Sequence, residues 1–142
     1  MLTEAACFAL FDELPDVVFF CKDALGRYTH ANRTLLSRLG MPSVASLRGK
    51  TAAQVFPAQL GQNYLQQDLR VVQSGRSVDS ELDLHLFANH RPGWCLTVKH
   101  AIWQGATVSG IVGIFRRHIG LSPSQYRKLC GATEPRARRP AA

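Results

Sequence analysis

No stretch of this chain approaches the roughly 20 consecutive apolar residues that a membrane-crossing helix needs. The opening segment, MLTEAACFALFDEL, carries acids where an export signal needs bases, so no secretory leader is expected. Cysteine is sparse: Cys7, Cys21, Cys95 and Cys130 lie far apart, with no C-x-x-C pair. That spacing speaks against a zinc site and against a disulfide framework, and a reducing cytoplasmic setting fits it. Acids are nearly missing from the end. Residues 115–142 hold one, Glu134, against seven Lys/Arg, so most of the formal charge of +7 belongs to that segment. A basic end favours nucleic acid through counterion release, and it is equally the signature of a solvated, disordered tail.

What is present suits one domain plus a tail. The chain has 142 residues, of which 46% are apolar, enough to bury a core. Residues 3–13 have the pattern of a short amphipathic helix that carries Phe8 and Phe11 and stops before Pro15. VVFFCK (17–22) and RYTHA (27–31) read as a hairpin about the turn DALG. Asn32 can cap a helix that ends at Gly40, and Thr51 with Gln54 forms a capping-box pattern. A longer helix ends at Gly75, with Leu65, Leu69 and Val72 predicted to face the core. The period then changes to two. Leu82, Leu84 and Leu86 alternate with Glu81, Asp83 and His85, which predicts leucines inward and His85 on the wet face. NHRPG (89–93) turns the chain into a strand at 94–103, QGATVSG (104–110) turns it again, and a last strand covers 111–115. The order predicts an α+β fold, an antiparallel sheet with helices on one side.

GKT (49–51) lacks the glycine of a phosphate loop at position 44, which is valine, so Thr51 reads as a helix cap. The five histidines show no metal-ligand spacing, although His30 and His100 could approach across a sheet. No nucleophile elbow or paired carboxylates stand out, so no catalytic residue and no metal are expected, and the chain reads as a non-enzyme.

LPDVVFFCKDALGRYTHAN (14–32), LRGKTAAQVFP (47–57), VVQSG (71–75), WCLTVKHAIW and SGIVGIF, in that order and spacing, resemble a PAS domain over about residues 5–116. The resemblance implies a five-stranded antiparallel sheet in the order 2-1-5-4-3, a pocket between sheet and helices, and signalling without catalysis. It also implies a homodimer through the N-terminal helix and the outer sheet face, with Phe8, Phe11, Trp94 and Trp103 as candidate interface residues. Haem sensors of this family take a histidine from the helix at 58–74, which has none, and flavin sensors need a cysteine where this chain has none between Cys21 and Cys95. No cofactor is therefore expected. Cys21 and Cys95 read as packed rather than reactive. A small-molecule ligand would meet Val18, Phe20, Tyr28, Leu36, Phe56, Leu65, Leu69, Val98 and Ile111, unless these simply fill a dry core.

FRRHIGLSPSQYRK (115–128) is similar to the closing segment of the AraC/XylS transcription regulators, through Phe115, Gly120, Ser122, Pro123, Tyr126 and Arg127. In that family a phenylalanine-led helix ends in a glycine, and a last helix follows. The two recognition helices of such a regulator have no counterpart here, so the resemblance implies an internal deletion from a longer protein. The organisation expected is a flanking helix at 1–14, a PAS sensory domain at 15–116, a remnant of the AraC-type helix-turn-helix at 117–130, and a disordered basic tail at 131–142. Arg116, Arg117, Arg127 and Lys128 are the candidate nucleic-acid contacts, with weak or non-specific DNA binding expected. The alternative is a dimeric, sequence-specific DNA-binding regulator that works through its basic C-terminus.

Overall fold

The side chain of Thr3 accepts a hydrogen bond from the Ala6 N–H and starts the first helix, α1 (Glu4–Asp12). In the computed structural model, which describes residues 1–87 and 91–118, the chain continues into β1 (Val17–Asp23) and β2 (Tyr28–Ala31). Asn32 then caps α2 (Arg33–Leu39), its Oδ1 accepting from the Leu35 N–H at 3.2 Å, and Gly40 ends it. Two one-turn helices follow, α3 (Val44–Leu47) and α4 (Ala52–Val55). The Thr51 N–H donates to Gln54 Oε1 at 2.8 Å, half of the expected capping box. α5 (Ala58–Ser74) crosses the sheet, and β3 (Val78–Leu86), β4 (Pro92–Gln104) and β5 (Thr107–Arg117) complete it. The sheet is antiparallel with the order β2-β1-β5-β4-β3, as expected.

Pairing registers define the two faces. Val18, Phe20 and Lys22 of β1 lie level with Phe115, Gly113 and Ile111 of β5, and these with Thr97, Lys99 and Ala101 of β4. This inner face meets α5, and the core gathers there around Phe20, Tyr28, Leu35, Leu47, Tyr64 and Phe115. On the outer face α1 lies over β1 and β2. Phe11 stacks on Phe19 at 4.0 Å between ring centroids, and Phe8 on His30 at 3.9 Å.

Three expectations need correction. In β3 the faces are reversed: His85 is buried, while Leu82 and Leu84 are 40% and 36% exposed on the outer face. The cause is a bulge. Val78 pairs with Lys99 and Glu81 with Thr97, so one extra residue around Ser80 (φ 50°) flips every later side chain to the other side. In α5 the buried positions are Gly61, Tyr64, Gln67, Asp68 and Val71, whereas Leu65, Leu69 and Val72 lie half-buried beside that stripe. The seven-residue turn expected at 104–110 shrinks to two, Gly105 and Ala106, and Gly105 supplies the positive φ (62°) that so tight a hairpin needs. His30 and His100 do not meet, since β1 and β5 separate their strands.

Candidate functional site

Within the inner face two lysines occupy positions that alternation reserves for apolar side chains. Lys22 follows Val18 and Phe20 at a period of two, and Lys99 follows Cys95 and Thr97. Both reach Asp68, which α5 presents between the buried Tyr64 and Val71 at helical spacing. Lys99 Nζ donates to Asp68 Oδ1 at 2.6 Å, and Lys22 Nζ donates to Oδ2. All three side chains are at most 1% exposed. The ammonium groups also sit against rings, Lys22 over Tyr28 at 4.4 Å and Lys99 over Phe115 at 5.6 Å. Two cations share one carboxylate, so the cluster carries a surplus positive charge when both are protonated. Burial, with Lys22 nearby and Asp68 opposing, lowers Lys99 to about 8, and burial lowers Lys22 as well. Burial and the charge of Asp68 push Tyr28 up, so its hydroxyl keeps its proton.

Next to this cluster, α5, β3 and β4 enclose further polar groups. The His85 ring stacks on Tyr64 at 4.7 Å and lies 4.0 Å from Phe115. Burial first, then the charges of Arg38, Lys99 and Lys22, push His85 down to about 3, so the imidazole is neutral. Tyr64 OH donates to the Leu84 carbonyl, and Gln67 Nε2 donates to Asp83 Oδ2 at 3.2 Å. Among the described residues, Gln67 Oε1, His85 Nε2 and Thr97 Oγ1 are buried and have no hydrogen-bond partner. Three such atoms on three adjoining elements are an unusual cost for a core, and each calls for a polar partner.

Of the residues singled out for a pocket, Val18, Phe20, Tyr28, Phe56 and Ile111 lie in the core, and Leu36 packs against it. Leu65 leans over the turn at Gly26, where it would meet any added Cβ at 2.9 Å, and Leu69 is half-buried. Val98 is a correction: it pairs with Ile114, level with Phe19, and therefore points to the outer face. Trp94 shares that face, opposite Leu84. Trp103 does not: it follows Lys99 and Ala101 at a period of two, so it falls on the α5 side and lies against Gly75 at the end of that helix. Phe8 and Phe11 are spent on Phe19 and His30 of their own chain. Arg116 and Arg117 are exposed at the end of β5, whereas Arg127 and Lys128 lie outside the described residues, as does most of 117–142. Phe115 to Arg117 are strand, with Phe115 buried, so they do not open a helix. Burial raises both strand cysteines, Cys21 to about 11, which leaves them as protonated thiols.

Sequence reasoning passed over Lys22, Asp68, Lys99, Gln67 and Thr97, and misplaced His85. The usable signal was a lysine at period two inside each of two apolar strands.

Solved structures share this architecture. Vibrio cholerae VqmA, described as a dimer and among LuxR-type receptors, is 24% identical, with 83% of this chain and 52% of that one matched at a TM-score of 0.66. VqmA bound to DPO is 22% identical over 88% of this chain and 61% of that one, at 0.64. A domain of a sensory box sensor histidine kinase/response regulator from Geobacter sulfurreducens is 21% identical over 79% and 91%, at 0.57. The chain thus spans little more than half the length of the VqmA chains it matches. No curated protein matches it significantly. A family model described as the PAS fold covers residues 11–118, and with the strand order and the helix-lined inner face this settles the kinship: the chain belongs to the PAS fold family.

Proposed function

We propose that residues 15–116 form the sensory and dimerisation module of a transcription regulator, and that a small polar ligand binds between α5 and the inner sheet face. The observation that carries this reading is the set of three unpartnered polar atoms beside the Lys22–Asp68–Lys99 cluster. A ligand with both acceptors and donors would engage Gln67, His85 and Thr97, and its presence would bias α5 against the sheet. VqmA, to which the chain is similar, is described in one structure as bound to DPO and in another as a ligand–DNA complex. The module acts by binding and not by catalysis. Its output passes through the segment after β5, where residues 117–130 are the AraC-type remnant and 131–142 the basic tail, in a cytoplasmic protein. Native mass spectrometry of the intact chain tests the ligand. The account expects a second species heavier by one small molecule, and a single bare mass across independent preparations would count against it.

The outer face supports the dimer. Leu82, Leu84 and Ile102 are exposed there beside Trp94, Leu96 and Val98, on strands that α1 does not cover. A second reading rests on the seven Lys/Arg of residues 115–142: the dimer grips a duplex through paired basic ends. Fluorescence polarisation with unrelated duplexes at two salt concentrations separates the two. Sequence-selective binding that survives salt favours the second reading, and weak binding that disappears favours a truncated effector.

A further inference from the structure

A separate concavity opens away from the interior layer, where α1, α2 and the ends of β3 and β5 converge. It is a cleft of about 540 Å³ bounded by Asp12, Arg33, Ser37, Arg38, Phe87 and Arg117. That size falls in the range of small-molecule sites. Two guanidinium groups meet one ring here, Arg38 at 4.4 Å and Arg117 at 5.2 Å from the Phe87 centroid. Nη1 of Arg38 is buried with no hydrogen-bond partner among the described residues.

None of Arg33, Arg38 and Arg117 takes part in an ion pair among the described residues. Acids are close by, since Asp12 and Asp16 also line the cleft. Asp12, however, is committed to the backbone, its Oδ1 accepting from the Arg33 N–H at 2.7 Å. The Thr34 hydroxyl is committed as well, donating to the carbonyls of Leu14 and Pro15 at 3.1 and 3.3 Å. Asp16 faces Arg38, which also hydrogen-bonds the Cys95 side chain, so three guanidinium groups stand against two carboxylates in the cleft. A half-buried guanidinium keeps its charge and five fork-shaped donors, which match the oxygens of a carboxylate or phosphate. Leaving such a donor buried and unpaired is costly, and an anion is the acceptor that would pair with it most strongly.

We infer that this cleft binds a small oxyanion, a carboxylate or phosphate group carried by a small molecule, held by Arg38 and Arg117 with Arg33 and Ser37 at the rim. The site is independent of the interior ligand. It also has a mechanical consequence. Arg117 is the last residue of β5 and Arg38 belongs to α2, so a bridging anion ties the start of the output segment to the helical side of the domain.

Isothermal titration of the whole chain in chloride buffer, with succinate and with inorganic phosphate as probes, tests this. At least one probe should bind at a single saturable site with Kd between about 10 µM and 1 mM. Arg117→Gln should weaken that binding about tenfold or more, since a charge-assisted fork is removed. Arg38→Gln should do the same, and if it does not fold, the Arg117 variant alone decides. Arg76→Gln makes the same charge change on the exposed loop before β3 and should leave Kd within about twofold. Succinate alone binding identifies a carboxylate site and phosphate alone a phosphate site. The inference is overturned if neither probe binds by about 10 mM, if Arg117→Gln binds as tightly as the parent, or if Arg76→Gln loses as much as Arg117→Gln.

Discussion

Lys99 Nζ lies 2.6 Å from Asp68 Oδ1, and neither side chain touches solvent. Lys22 holds the other carboxylate oxygen from the neighbouring side. One aspartate thus answers for two ammonium groups in a low-dielectric layer, a configuration in which desolvation outweighs part of the Coulombic attraction.

Replacing Lys99 by methionine should therefore stabilise the domain. The variant keeps Lys22 and Asp68 as a neutral pair and fills the space with a side chain of similar length, for a gain of about 1–3 kcal/mol at neutral pH. Urea unfolding followed by circular dichroism measures it.

The same lysine should give the parent a basic limb. Its folded-state value near 8 lies below the ordinary 10.5. Between those values the unfolded chain holds a proton that the folded chain has released, so the stability of the parent should rise as pH climbs through that window. The Lys99→Met variant should lack this component. A parent midpoint that falls over the same range would contradict it.

Asp68→Asn acts in the opposite direction. It leaves two buried ammonium groups without a counter-charge, and a loss of about 3–5 kcal/mol is expected, enough to unfold much of the population. Thermal melts at neutral pH report it directly.

An acid limb follows from His85. Its folded-state value, about 3, lies below the ordinary 6.5, so on acidification the unfolded chain takes up a proton that the folded chain refuses. Stability should fall as pH drops from 6.5 towards 3, and His85→Phe should remove that part of the slope. Urea midpoints of the two chains at pH 7 and pH 5 provide the check: the parent should lose more than the variant.

Most helix ends could be read from residues such as Asn32, Gly40 and Gly75, because caps and left-handed terminators act locally, whereas the strand order came only from the resemblance to PAS domains. Faces were harder. In β3 the leucine alternation is real, but a one-residue bulge before it reverses its sense, and an outer face that is itself apolar gives no contrast to correct the phase. In α5 the pattern of hydrophobicity selects Leu65, Leu69 and Val72, while the two lysines of the sheet draw Asp68 inward and Asp83 of β3 bonds Gln67 beside it. The period-two lysines of β1 and β4 mark buried charges, but their shared partner on α5 is brought to them only by the fold. The short α3 had no period long enough to register.

Self-association should depend on the uncovered half of the outer face. Leu84→Glu lies on an exposed position of β3 and should change stability by less than about 0.5 kcal/mol. It should nevertheless convert a dimer to a monomer in light scattering. Phe11→Ala has the reverse profile: it removes the ring stacked on Phe19 and should cost about 2 kcal/mol by loosening α1.

The proposed site lies between α5 and the sheet, where the ligand-facing Gln67, His85 and Thr97 adjoin buried charges held at the expense of stability. The most direct measurement is denaturing extraction and mass spectrometry of the parent and the Lys99→Met chain, purified side by side under native conditions. A small molecule should be released from the parent and absent from the more stable variant. An identical extract from both chains, or none from the parent, would contradict it.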